Sequence, residues 1–129
     1  MRILVCGDRN WADRKFIAEV LEDMKDNFST WQVLIEGEAP GADSIAAKWA
    51  RRNGITVFAF PADWDLYGRA AGPIRNKQML DEGKPDMVIA FHDNIEESRG
   101  TRNMLTILRK SGMKQVWLYS HNADPRRWD

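Results

Sequence analysis

The chain reads as an α/β protein: a three-layer, Rossmann-like parallel sheet of about five strands, ordered 3-2-1-4-5, with helices on both faces. Three observations predict it. Apolar runs of strand length alternate with longer stretches whose apolar residues recur at helical spacing. The runs are continuously apolar rather than alternating, as in a sheet covered on both faces. Glycine, proline and asparagine fall between them as punctuation. Right-handed crossovers then place the topological switch between strands 1 and 4, and ligands of such sheets sit outside the carboxyl ends of the strands at that point.

The first strand is Ile3 to Cys6, ended by Gly7. A polar turn, Asp8-Arg9-Asn10, leads to a helix from about Trp11 to Asp26, with Phe16, Ile17, Val20, Leu21 and Met24 inward and Asn10 as its cap. Gln32 to Glu36 is the second strand. A loop from Gly37 to Asp43 enters a helix marked by Ile45, Ala46, Trp49 and Ala50, which Asn53-Gly54 closes before the third strand, Ile55 to Phe60. The connection from Pro61 to Ala71 is too polar and broken for another core element. A helix of about Pro73 to Glu82 follows, then the most apolar strand, Asp86 to Phe91. The loop from His92 to Thr101, a helix from Thr101 to Ser111 and a last strand, Gln115 to Tyr119, complete one domain over residues 1–120. Residues 121–129 form a polar tail.

At 129 residues, 43% hydrophobic and 29% charged, the chain is sized for one independent core. Its 19 basic and 19 acidic residues balance, which disfavours nucleic acid as a partner, since that needs a basic footprint. No apolar run is long enough to span a bilayer, and Met1-Arg2 leads straight into a strand rather than a signal peptide, so a cytoplasmic location and no membrane partner are expected. The single cysteine, Cys6, excludes an intramolecular disulfide and reads as a buried structural thiol. His92 and His121 lie far apart with no ligand spacing, so no metal and no cofactor is expected. Trp31, Trp117 and Trp128 are candidate surface for a homodimer or higher homo-oligomer, with core packing the alternative for the first two.

The stretch from Ala71 to Leu80 concentrates the site. Gly72 suits a helix cap and Pro73 the first turn, which sets Arg75 and Asn76 beside open amides that attract anions. The glycines of the 37–43 loop permit close backbone approach to a ligand, although the loop is neither a Gly-x-Gly-x-x-Gly fingerprint nor a P-loop. Arg9, Arg69, Arg75, Arg99 and Arg102 all fall at the ligand end of the sheet, where they serve phosphate or pair with Asp8, Asp63 and Glu97. Trp64 and Tyr67 either stack on a base or pack the loop against the domain.

Four segments, Arg2 to Trp11, Glu36 to Asp43, Ala71 to Asn76 and Ser98 to Thr101, together resemble the YspA-like branch of the SLOG superfamily, which groups the SMF/DprA and LOG, or lysine-decarboxylase-like, Rossmannoid domains. The resemblance spans nearly the whole chain and implies a nucleotide or nucleotide-derived small molecule as partner. Gly37, Gly41, Ala42 and Asp43 match the first glycine motif, Gly100 and Thr101 the second, and Arg75-Asn76 the branch's Arg-Asn signature. LOG enzymes, which release the base from nucleoside monophosphates, carry Pro-Gly-Gly-x-Gly-Thr-x-x-Glu at the second motif; here Met104 stands where the glutamate falls.

The expectation is a nucleotide-binding sensor or sequestering domain that uses Gly7, Asp8, Arg9, Gly37, Gly41, Ala42, Asp43, Gly72, Arg75, Asn76, Ser98, Gly100 and Thr101. An alternative is an N-glycosidase or phosphoribohydrolase with Asp8, Asp43 or Glu97 as acid or base, and no spacing selects among the three. Single-stranded DNA binding in the manner of DprA stands third because the net charge is zero.

Overall fold

The computed structural model describes residues 1–128. Asp129, the last residue of the expected tail, lies outside the described residues. Six strands form one sheet in the order 3-2-1-4-5-6. Strand β1 (Arg2–Gly7) lies between β2 (Val33–Glu36) and β4 (Met87–Phe91), β3 (Thr56–Ala59) flanks β2, and β5 (Val116–Tyr119) flanks β4, all parallel. The sixth strand, β6 (Arg126–Arg127), is added by the tail, which pairs antiparallel with β5. It is anchored by the Trp128 amide, which donates to the Val116 carbonyl at 2.8 Å.

Helices α1 (Arg14–Asn27) and α2 (Ala42–Arg52) cover one face, while α4 (Ala71–Asp81) and α5 (Gly100–Lys110) cover the other. Alternate residues of β1 feed the two cores: Ile3 and Val5 pack under α1 and α2, Leu4 and Cys6 under α4 and α5. β4 is buried along its whole length, which is why its sequence shows no alternation.

Three boundaries differ from expectation, two of them through a side-chain cap. α1 starts at Arg14 because Asp13 Oδ1 accepts the Phe16 amide at 3.0 Å; Asn10 is instead turned by Asp8 Oδ1, which accepts its amide at 2.9 Å. Asp63 Oδ1 accepts the Leu66 amide at 3.0 Å and nucleates a short helix, α3 (Trp64–Tyr67), inside the connection expected to be irregular. A 3₁₀ turn, Gly68–Ala70, then runs straight into α4. α4 therefore begins at Ala71, so Gly72 lies inside its first turn rather than at its cap, while Pro73 stands in that first turn as expected.

Trp31 is buried, and Trp117 and Trp128 pack against the two cores. The large apolar side chains left most open to solvent are Trp64, Leu66, Tyr67 and Ile74, all on α3 and α4. No helix of the described residues is long and apolar enough to cross a membrane.

His121, in the connection from β5 to β6, clasps two loops. Its Nδ1 lies 2.8 Å from Asp93 Oδ2, its Nε2 lies 2.9 Å from Asp13 Oδ2, and its ring stacks on Trp11 with centroids 4.6 Å apart. Both ring nitrogens face carboxylates, so the imidazolium, with two donors, is the species that fits. Hydrogen bonds to Asp93 and then Asp13 hold its pKa above the ordinary imidazole value. A raised folded-state pKa gives stabilisation that is complete below the unfolded value, about 6.5, and lost as pH rises through the folded one. The melting temperature of His121→Ala is therefore expected to fall further below that of the unchanged protein at pH 5.5 than at pH 8.5, where the loss of the ring's contacts with Trp11 and Phe16 remains. A gap that widens with pH would contradict the clasp.

Candidate functional site

Past the switch between β1 and β4, the carboxyl ends of β1, β2 and β4 open into a cleft of about 740 Å³ on the α4 and α5 side. Its floor is soft and apolar: Cys6 from β1, Met79 from α4 and Met104 from α5. Burial, then the nearby Asp43, hold the Cys6 thiol far above its ordinary pKa, so it is a protonated floor residue and not a nucleophile. The walls are the turn after β1, the loop after β2, the Trp64 and Arg69 side of the α3 region, and the start of α5.

The loop after β2 is fixed at both polar atoms of Gly37. Asp43 Oδ2 accepts the Gly37 amide at 3.0 Å and the Ala39 amide at 3.3 Å, while the Gly37 carbonyl accepts from Arg75 Nη1. A Cβ on Gly37 would stand 2.5 Å from Arg75 Nη1 and 2.9 Å from its Cζ, so any larger residue would have to push the guanidinium off the carbonyl it holds. Arg75 Nε donates to Asn76 Oδ1 at 3.0 Å, and Asn76 Nδ2 donates onward to Asn103 Oδ1 at 3.0 Å and to the Gly100 carbonyl at 3.3 Å. The Arg-Asn pair on α4 thus stitches the first glycine loop to the second.

Burial pushes Asp43 up to about 6, against the amides of Ala39 and Gly37 and the charge of Arg75, which favour its anion. Arg75 is drawn below its ordinary value by its own burial, opposed by Asp43. Glu36, 2% exposed at the end of β2, is pushed up to about 7 by burial, although the Glu38 amide donates to it.

The start of α5 is an open helix terminus. Helical bonding begins with the Asn103 amide donating to the Arg99 carbonyl at 3.0 Å, and of the amides before it Thr101's is taken by Ser98 Oγ at 3.1 Å. A Cβ on Gly100 would meet nothing within 4 Å, so the wall there is free for a ligand to approach. Ser98, Arg99, Gly100 and Thr101 all line the cleft. The start of α2 is different. Its first amide, Ala42, donates to the Asp8 carbonyl at 3.1 Å, and the next residue is the buried acid Asp43, an arrangement poor for an anion.

The structure brings most of the sequence-derived candidates together. Gly7, Asp8, Arg9, Gly37 and Asp43 line one side; Gly72, Arg75, Asn76 and Trp64 line the other, and Glu97 stands exposed at the rim. Gly41 and Ala42 are not on the cleft surface; they back onto the Asp8 carbonyl instead. Tyr67 does not line the cleft, and Arg102 points away from it toward Glu96, 3.9 Å distant. Asp8 spends one carboxyl oxygen on its own turn. Among the described residues no three His, Cys, Asp or Glu side chains gather as a metal site.

A sequence profile of the YspA, cpYpsA-related SLOG family (YAcAr) matches residues 1–67. A similar protein is the gene 61 protein of Mycobacterium phage D29, 35% identical over 120 residues that cover 89% of this chain and 94% of that protein. The chain belongs to the YspA, cpYpsA-related SLOG family. The profile match ends before α4, yet Arg75 and Asn76 reach back to Gly37 and across to Gly100, so both halves of this YAcAr chain build one cleft.

Sequence reasoning missed two residues of the cleft lining, Asn103 and His92, and the buried acid Glu36 that precedes the loop after β2. Glu36 had a signal: an acid that closes an apolar strand just before a glycine loop at the ligand end of the sheet. Asn103 receives Asn76 across the cleft, and His92 Nδ1 accepts the Asn94 amide at 2.9 Å while its side chain lines the wall. The Asn103 pairing joins residues 27 apart, which no local pattern carries, whereas the His92 turn is local and its place on the wall comes from the end of β4.

Proposed function

We propose that this YAcAr domain binds a nucleotide or nucleotide-derived small molecule in the cleft, as a sensor or sequestering domain. The observation that carries the reading is convergence: in a chain of zero net charge, Arg9, Arg69, Arg75 and Arg99 all line one cleft, together with an open helix N-terminus. Arginines around uncapped amides suit phosphate. The start of α5, with Arg99 beside it, is the phosphate seat, and Trp64 at the opposite rim offers a face for a base.

Base release is the less supported reading. Of its three candidate carboxyls, Asp43 is engaged in holding the loop, Asp8 in its own turn, and Glu97 lies exposed at the rim.

A thermal-shift panel of nucleoside mono-, di- and triphosphates, cyclic nucleotides and ADP-ribose derivatives tests the proposal. A ligand at about a hundred times its dissociation constant adds roughly 2.7 kcal/mol, several degrees in a domain of this size. Gly100→Val is the matched control: its Cβ would meet nothing within 4 Å and the residue is exposed, so its own melting temperature should stay within about 2 °C of the unchanged protein while the ligand shift disappears. A panel that moves neither protein would overturn the reading, and a shift retained in full by Gly100→Val would displace the phosphate seat from α5.

A further inference from the structure

Two polar groups at the loop end of the cleft are left half used. Asp43 is 5% exposed and lines the cleft, and both of its hydrogen bonds fall on Oδ2; Oδ1 accepts none among the described residues. It is also not sealed in, since the buried side-chain polar atom without a partner is Trp128 Nε1. Arg75, on the other side of Gly37, uses Nε and Nη1 and leaves Nη2 without a partner among the described residues. The two side chains do not pair with each other within 4 Å; residue Gly37 stands between them, its amide donating to Asp43 and its carbonyl accepting from Arg75. An acceptor and a donor without protein partners therefore belong to two residues that line the cleft on either side of Gly37.

The chemistry of that pair discriminates among ligand groups. A phosphate oxygen accepts from a guanidinium but is repelled by a carboxylate, and an ammonium does the reverse. A hydroxyl donates and accepts through one atom, so it satisfies both partners at once. We infer that Asp43 and Arg75 form a hydroxyl-recognition subsite, which takes the ribose diol of the ligand while its phosphate lies at the start of α5. The inference rests on the nucleotide reading above and assigns the two ends of the cleft opposite tasks. The loop that begins at Gly37 and ends at Asp43 then reads sugar, although its glycines and helix start suggest phosphate.

Isothermal titration of the unchanged protein with the four ribonucleoside 5′-monophosphates and their 2′,3′-dideoxy counterparts tests it without any variant. Loss of the diol leaves a buried carboxylate unsatisfied in the complex, so the dideoxy compounds are expected to bind about 10- to 100-fold more weakly. In Asp43→Asn, whose amide oxygen can still hold the loop, that discrimination should shrink while binding through the phosphate persists. Equal affinity for a ribonucleotide and its dideoxy form would overturn the subsite and leave the nucleotide reading standing. Failure of all eight compounds to bind, with ADP-ribose also inert, would overturn both.

Discussion

Gly41→Ala is expected to destabilise the domain by about 3–5 kcal/mol, a fall in melting temperature of roughly 10–20 °C. Gly41 has φ 76° and ψ −125°, a conformation costly for any residue with a Cβ, and this alone accounts for about 1–3 kcal/mol. The rest is collision with main chain. A Cβ there would run into the Asp8 carbonyl oxygen and stand 2.6 Å from the Arg9 carbonyl carbon, atoms that cannot rotate aside. The same Asp8 carbonyl accepts the amides of Ala42 and Trp11, so pushing it back breaks the joint between the β1 turn and α2. Gly54→Ala separates the two contributions: Gly54 has φ 73°, but nothing lies within 4 Å of its added Cβ, so it should cost only about 1 kcal/mol. Chemical denaturation of both variants decides the matter. Equal losses would show that backbone strain, not close packing, demands glycine at 41.

Arg75→Ala should abolish ligand-induced stabilisation and cost about 2–3 kcal/mol in the free protein at pH 8. The guanidinium holds the Gly37 carbonyl and Asn76 Oδ1, and its charge favours the buried anion of Asp43. Without it the Asp43 pKa rises from about 6 to a higher value. A carboxyl whose folded pKa lies above its unfolded one loses stability as pH rises from about 4 through the folded value. The deficit of Arg75→Ala should therefore be larger at pH 8 than at pH 5, where Asp43 takes up a proton in either protein. Melting curves at the two pH values check this, and a deficit independent of pH would mean that the hydrogen bonds alone matter. Arg75→Lys should not restore the loop, since one ammonium cannot span the Gly37 carbonyl and Asn76 together.

The parallel sheet was legible because a strand buried on both faces must be apolar throughout, and Ile3 to Cys6 and Met87 to Phe91 show this without ambiguity. The chain order of strands and helices then left few topologies. Boundaries were less legible where several residues compete to cap. Asn10 and Asp13 are both of the types that cap helices, and the one that does so, Asp13, is also held by His121 Nε2, 108 positions away in sequence. Asp63 was hidden in the same way, in a connection whose polarity masked a single helical turn. For the site, the glycine loops and Arg75 were visible as letters, but their tasks were not. That Arg75 holds Gly37, 38 positions earlier, and that Asp43 turns back onto its own loop, are facts of tertiary packing. Likewise Arg99 and Arg102 look alike in sequence, and the turn of α5 sends one to the cleft and the other to Glu96.

The antiparallel pairing of Arg126 and Arg127 with β5 bears on how the molecule behaves among its own copies. An open edge of a flat parallel sheet is a template on which another chain can add a strand, and β5 would present one. Two exposed arginines occupy that edge, so an approaching strand meets bulk and positive charge where it would otherwise find free amides and carbonyls. Removing residues 126–129 should leave the cleft, 27 residues of lining drawn from Cys6 to Met104, untouched. What it removes is the strand paired with β5 and the Trp128 ring packed on the core, so the truncated protein is expected to self-associate more readily than the unchanged one when concentrated.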